Sequence, residues 1–248
     1  MHRTNPFIPL TSFLIISLLS GLLPNMLLGQ MSATEVINRS IQYHDPKGIL
    51  EDEKISMHFI ETRPNGSDRK SDVTIDLAKE LYIINREVDN HHVSMKWQKN
   101  KSQFKLDASS KLNIEQIEEY NLNDERLHKM KDYYRYLWHL PMTLKDPGTI
   151  ISDKVQSVLF NDQESLEIKT TYDPKVGADI WYFYFNPETY ALIGYRFYHD
   201  ESANDGEYIL LTEEYQSGEL RLPKKRAWYM HKDDKYLGED ILSSIQIK

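Results

Sequence analysis

The 248-residue chain contains no cysteine. That excludes thiol catalysis, a disulfide framework and lipid attachment through an N-terminal cysteine. Basic charge is also in deficit: 30 Lys and Arg stand against 38 Asp and Glu, a formal net charge of −8. A nucleic-acid partner is not expected, because it calls for a basic footprint. Adhesion to anionic lipid headgroups by overall charge is disfavoured for the same reason. The ten glycines form no G-x-G-x-x-G and no P-loop, and neither G-x-S-x-G nor H-E-x-x-H occurs. No cofactor or metal is called for by a motif, and no internal repeat or low-complexity linker is found.

Before Glu35 the only formal charge is Arg3, and "FLIISLLSGLL" (Phe13 to Leu23) is an apolar run behind it. This pattern predicts a signal peptide over residues 1–29, cleaved near Gly29–Gln30, and a periplasmic or secreted protein. The competing reading is an uncleaved anchor over Phe7 to Gly29, which Pro9, Ser17, Ser20 and Pro24 weaken. Gln30 stands where a bacterial lipoprotein carries its acylated cysteine, so the mature chain is expected to be unlipidated. Residues 30–248 show no further shift in composition, and one domain and a monomer are expected.

Ser32 with Glu35 makes a capping-box pattern before a helical stripe of Val36, Ile37, Ser40, Ile41 and His44, ended by Asp45-Pro46-Lys47-Gly48. From Lys54 the period becomes two. Ile55, Met57 and Phe59, then Val73, Ile75 and Leu77, then Leu81 to Glu87, Val93 to Gln98 and Gln103 to Leu106 read as an antiparallel meander with one wet face. Residues 113–140 are helical, split at Asn121 and Asn123, with Asn123 as a cap and Pro141 as the stop. The three tyrosines Tyr133, Tyr134 and Tyr136 cannot all face inward, so one is expected at the solvent or at a cavity mouth. Strands follow over Val155–Phe160, Ser165–Tyr172, Ile180–Phe185, Tyr190–Tyr198, Glu207–Tyr215, Glu219–Leu222, Lys225–His231 and Tyr236–Ile247.

The stretch from Asp179 to Asp200, "DIWYFYFNPETYALIGYRFYHD", carries nine aromatic residues. A short loop at Asn186–Thr189 would set Phe185 opposite Tyr190 and Trp181 opposite Gly194. Trp181, Phe183 and Phe185 would then share a face with Leu192, Arg196 and Tyr198, and Tyr182, Tyr184, Tyr195 and Phe197 would share the other; a three-residue loop would reverse this. Both faces are apolar. The hairpin is therefore covered on both sides or lines a cavity on one, as a strongly curved sheet wrapped round a helix allows.

"WYFYFNPETYALIGYRF" resembles the strand–[DN]P-x-T–strand hairpin of LolA/LolB-like proteins. "YLWHLPMTLKDPG", "HDESANDGEYILL" and "KKRAWYMHKDDKYLGEDIL" are similar to an uncharacterised family of exported bacterial proteins grouped with outer-membrane lipoprotein-sorting proteins. The resemblance covers most of residues 31–248. It implies an α+β, mainly β fold: a curved, unclosed antiparallel β-barrel with helices packed in or over its concave face. It also implies a hydrophobic cavity, which in the sorting proteins takes lipoprotein acyl chains. The chain departs from that pattern in its richness in tyrosine and its acidity.

The expected function is thus an exported carrier of an apolar ligand, a lipid or a lipoprotein acyl chain, without bond chemistry. Its expected lining is Trp97, Tyr134, Trp138, Trp181, Phe183, Phe185, Tyr195, Phe197 and Trp228; for any one of them simple core packing is the competing reading. The alternative is a hydrolase-type enzyme using His199, Asp200, Asp205 or His231, which requires those groups to converge beside a cleft. A third reading is a packed module that binds an envelope protein partner. The loops at His199–Asp205 and His231–Asp234, and His91-His92, read as solvated turns before they read as metal ligands. "LPKKRAW" (Leu222–Trp228) reads as a solvated strand edge or a docking spot for an acidic partner or a headgroup.

Overall fold

Alternation of apolar and polar residues builds the first strands. In β1 (Ile55–Thr62), Ile55, Met57 and Phe59 are buried and their neighbours only partly so. β2 (Arg69–Asp76), β3 (Leu81–Val88), β4 (His91–Gln98) and β5 (Lys101–Leu106) continue the meander. Asp89-Asn90 and Lys99-Asn100 take left-handed backbone at the tight turns, as two-residue hairpin loops require. The computed structural model describes residues 31–248; the expected signal peptide over 1–29 lies outside the described residues.

The second run of strands is β6 (Thr149–Phe160), β7 (Gln163–Tyr172), β8 (Ile180–Phe185), β9 (Leu192–Asp200), β10 (Asp205–Ser217), β11 (Leu220–Met230) and β12 (Tyr236–Ile247). All twelve strands form one antiparallel sheet in the order β5-β4-β3-β2-β1-β12-β11-β10-β9-β8-β7-β6. The two meanders are joined by β1 against β12, where Ile55 pairs with Ile247 and Thr62 with Glu239. β5 and β6 are not paired to each other, so the barrel is unclosed. Register breaks in β1–β12, β9–β10, β11–β12, β6–β7 and β8–β9 bend the strands and increase their twist.

Helix α1 (Ala33–His44) starts at Ser32, whose Oγ accepts from the Glu35 amide; the Glu35 carboxylate turns to Arg39 rather than closing the box. A four-residue helix α2 (Ile49–Asp52) follows because the Asp45 carboxylate accepts from the Ile49 and Leu50 amides. The central helical segment splits where expected, into α3 (Ile114–Glu119) and α4 (Asp124–Trp138), with Asn123 accepting from the Arg126 amide at the start of α4. Leu127, Met130, Tyr134, Leu137 and Trp138 of α4 join Val36 and Ile37 of α1 and the sheet's inner face in one continuous apolar core.

Three local expectations are corrected. In the β8–β9 hairpin Trp181 faces Phe197, Tyr184 faces Gly194, and Phe185 faces Leu192 across a bulge. The cause is the loop: the Asn186 side chain accepts from the Glu188 and Thr189 amides, and Tyr190 takes a left-handed backbone, so Tyr190 and Ala191 belong to the turn. Trp181, Phe183, Tyr195 and Phe197 therefore share the inner face. Gly194 is covered not by Trp181 but by Phe160, which stacks on Tyr184 at 3.9 Å; a Cβ at Gly194 would lie 2.2 Å from Phe160. Second, the strands expected on either side of Pro223 are one strand, β11, because the ladder runs through a Glu214–Pro223 pair. Third, Leu222–Trp228 is no edge. It lies between β10 and β12, and Arg226 within it is fully buried.

Candidate functional site

Helix α4 lies in the concavity and is fastened by tyrosine hydroxyls. Tyr134 donates to Glu61 on β1 at 2.7 Å, Tyr133 donates to Asp240 on β12, and the Tyr136 hydroxyl meets that of Tyr172 on β7. Burial pushes all three phenols up, and the neighbouring carboxylates push Tyr133 and Tyr134 the same way, so the hydroxyls keep their protons. Burial also works against a charged Glu61, but Arg86, Tyr134, Arg69 and Ser71 outweigh it and hold the carboxyl below its ordinary range. Below the helix end, the buried Arg226 guanidinium lies 3.5 Å from the Trp138 ring centroid and donates to the Leu137 carbonyl.

Tyr133 and Tyr136 begin and end an arc of rings. Tyr133 stacks on Trp228 at 6.0 Å; Trp228 meets Tyr195 at 6.4 Å; Tyr195 meets Trp181 at 5.7 Å; and Trp181 meets Tyr136 at 5.5 Å. The arc thus runs from α4 across β11, β9 and β8 and back to α4. A cleft opens at each end. One, of about 210 Å3, is lined by Tyr133, Trp228, Leu237, Arg63 and Glu207. The other, of about 400 Å3, is lined by residues including Tyr136, Tyr172, Val176 and Trp181. Between them Tyr195 is completely buried, and its hydroxyl has no hydrogen-bond partner among the described residues. The same holds for Trp138 Nε1 and both ring nitrogens of His139.

The nine aromatics singled out from the sequence fall into distinct places. Trp181 and Trp228 line the two clefts, and Tyr195 joins them. Phe197 stacks on Trp181 at 4.8 Å. Tyr134, Trp138, Phe183 and Phe185 are buried in the core, with Tyr134 and Trp138 both packed on Phe59. Trp97 sits apart on β4, against Tyr82 and under the Lys131 ammonium. Tyr133, Tyr136, Tyr172 and Asp240 are further members of the site; their hydroxyl partners come from strands remote in sequence, and spacing along α4 signals only that its tyrosines diverge.

The side chains of His199, Asp200, Asp205 and His231 are not hydrogen-bonded to one another among the described residues, although Asp200 and Asp205 are partners in the β9–β10 ladder. His199 pairs with Asp179 at 2.8 Å, Asp200 accepts from Ser202 and Ala203 within its own turn, and His231 stacks on Tyr198 at 4.4 Å. No group of three His, Asp or Glu side chains suited to a metal occurs among the described residues.

The family model described as "Family of unknown function (DUF6503)" matches residues 13–244. The chain belongs to that family. For this DUF6503 member no curated protein matches in sequence. Among solved structures it is similar to a LolA superfamily protein from Nitrosomonas europaea, with a TM-score of 0.53 at 10% identity, covering 88% of this chain and 94% of that one. It is also similar to a DUF1329 family protein from Desulfovibrio piger, with a TM-score of 0.50 at 6% identity, covering 86% and 92%. At such identities the likeness is one of fold, and it makes the DUF6503 chain an unclosed LolA-like barrel.

Proposed function

We propose that the protein is an exported, non-enzymatic carrier that holds an apolar chain, of a lipid or a lipoprotein anchor, along the aromatic arc beneath α4. The carrying observation is the arc itself, with a cleft at each end and a tyrosine of α4 closing each. An extended hydrocarbon laid from the Trp181 cleft to the Trp228 cleft would touch ring faces throughout. The leader and the LolA-like fold support the same reading. The nine aromatics named from the sequence then divide: Trp181, Tyr195, Phe197 and Trp228 touch the chain, while Tyr134, Trp138, Phe183, Phe185 and Trp97 form the wall behind it.

Admission requires the flank of α4 to lift, breaking the Tyr133–Asp240 and Tyr136–Tyr172 contacts. Two such bonds contribute about 3 kcal/mol together, the one to a carboxylate being the stronger. Each methylene buried returns about 0.8 kcal/mol, so about four methylenes offset the opening. Affinity should therefore rise with chain length: alkyl chains shorter than about C6 should not bind measurably, and C12 to C16 chains should.

Organic extraction of the purified protein followed by mass spectrometry tests the reading. Co-purifying acyl species, or competition of long-chain fatty acids with a fluorescent fatty-acid probe, support it. A protein that carries no acyl species and ignores the probe at every chain length contradicts it, and leaves recognition of an envelope protein by the outer surface.

A further inference from the structure

A third cleft, of about 250 Å3, lies between α4 and the ends of β1–β3 and is lined by Glu61, Arg63, Arg69, Arg86, Arg126, Lys129, Met130 and Tyr133. Five cations thus face one carboxylate in a chain whose net charge is −8. Part of this charge is matched: Glu61 takes Arg86 at 3.0 Å and Arg69 at 3.4 Å, Arg63 pairs with Asp240 at 3.2 Å, and Lys129 reaches the exposed Glu125. Two positive charges remain over. Arg126 is the unmatched one: among the described residues its guanidinium has neither an ion pair nor a hydrogen bond, and the repulsion of Arg86 and Arg69 outweighs the attraction of Glu61, which those two arginines already share. Asp68, Glu87 and Asp89 line a neighbouring, larger cleft that shares Arg63 and Arg69 with this one, and none of the three lines the site itself. Holding guanidinium groups together without enough carboxylates is unfavourable, and it is the arrangement that an added anion stabilises.

We propose that this cleft is a binding site for a phosphate-type oxyanion. Arg86, held by Glu61, Ser71 and Tyr134, is fixed in place. Arg126 and Lys129, three apart on one face of α4, converge on the same space and can close over the anion. Forked guanidinium donors suit an anion with several oxygens. Tyr133 and Arg63 line both this cleft and the Trp228 cleft, so an oxyanion here continues into the aromatic arc. An anionic amphiphile, with its headgroup among the arginines and its chain along the rings, is then the ligand class; that extension rests on the carrier reading, whereas the oxyanion site does not.

Calorimetric titration of the purified protein with inorganic phosphate, dodecyl phosphate and dodecanol separates the sources. The site predicts that phosphate and dodecyl phosphate bind, that added salt weakens both, and that R126Q weakens both about tenfold. K169Q, the same charge change on the outer face at a residue paired with Glu201, should have no effect. Arg126 has no partner to lose and is repelled by Arg86 and Arg69, so R126Q should leave the melting temperature unchanged or raise it. Binding of neither anion, or binding that R126Q leaves unaltered, overturns the oxyanion site. Phosphate binding as tightly as dodecyl phosphate upholds the oxyanion site and removes the carrier reading. Dodecanol binding as tightly as dodecyl phosphate, with R126Q silent, does the reverse.

Discussion

Glu61, Arg86 and Tyr134 show how a few polar residues set the position of a helix. Glu61 is 2% exposed and accepts from Arg86, Ser71 and Tyr134. E61Q would leave two arginines facing the interior without their counter-charge, and should lower unfolding free energy by about 3–5 kcal/mol in urea titration. His44 and His139 give the pH dependence. Burial lowers His44 to about 4 and His139 to about 3, from an ordinary 6.5. The Leu192 amide donates to His44 Nε2 while Nδ1–H donates to the Arg221 carbonyl, which fixes the neutral ring. The unfolded chain takes up protons below about 6.5 that the folded chain refuses, so stability is full above that pH and falls on acidification. The slope should reach about 1.4 kcal/mol per pH unit for each ring between pH 6 and 4. H44Q, whose amide can both donate and accept, should remove the His44 share and leave that of His139. A melting temperature independent of pH from 7 to 4 would contradict the assignment. None of these partners was legible in the sequence. His44 appears there as the last position of a helical stripe, and Glu61 continues the inward period of Ile55, Met57 and Phe59, where a carboxylate has no visible partner. Which face a strand buries can be read from its period, but pairing between β1, β3 and α4 is a product of the whole fold.

Among the elements, α4 and the β8–β9 hairpin divide the site between them. The helix start was legible because Asn123 is a capping residue before an apolar stripe; N123A should cost about 1 kcal/mol and leave the fold intact. The hairpin was legible as a pair of strands but not in register. Its aromatic residues occupy both faces, so hydrophobicity does not choose between them, and the Asn186 side chain that lengthens the turn decides. The outcome is a polar-tipped outer face, with Arg196 over the Tyr184 ring, and an apolar inner face that carries the arc. G194A would drive a methyl into Phe160 and to within 2.8 Å of the Ile209 carbonyl. It should destabilise by about 1–3 kcal/mol. Pro223 misled in another way: it reads as a strand break, yet it sits within β11 because the ladder accommodates it at one pair.

At the scale of the whole molecule, the sheet is closed in order but not in space. The first and last strands meet in the middle of the sheet, where β1 and β12 pair, while the edges β5 and β6 come from the middle of the sequence. Periodicity made the antiparallel strands and central helices legible in advance, and the unclosed barrel came from the resemblance carried by the hairpin and the C-terminal segments. The filling of its interior was not legible, because the sequence gives volumes without positions, and α4 with its tyrosines occupies the concavity between the two clefts. The proposed carrier function then depends on whether α4 moves. The absence of cysteine in the chain makes the most direct test clean. D132C and D179C place one thiol on α4 and one opposite it, both lining the Trp181 cleft, and a short bis-maleimide can join them. Binding of a fluorescent C16 fatty acid should be normal in the unlinked double variant and lost once the link forms. Binding that survives the link unchanged would show that no chain enters beneath α4 and would contradict the account.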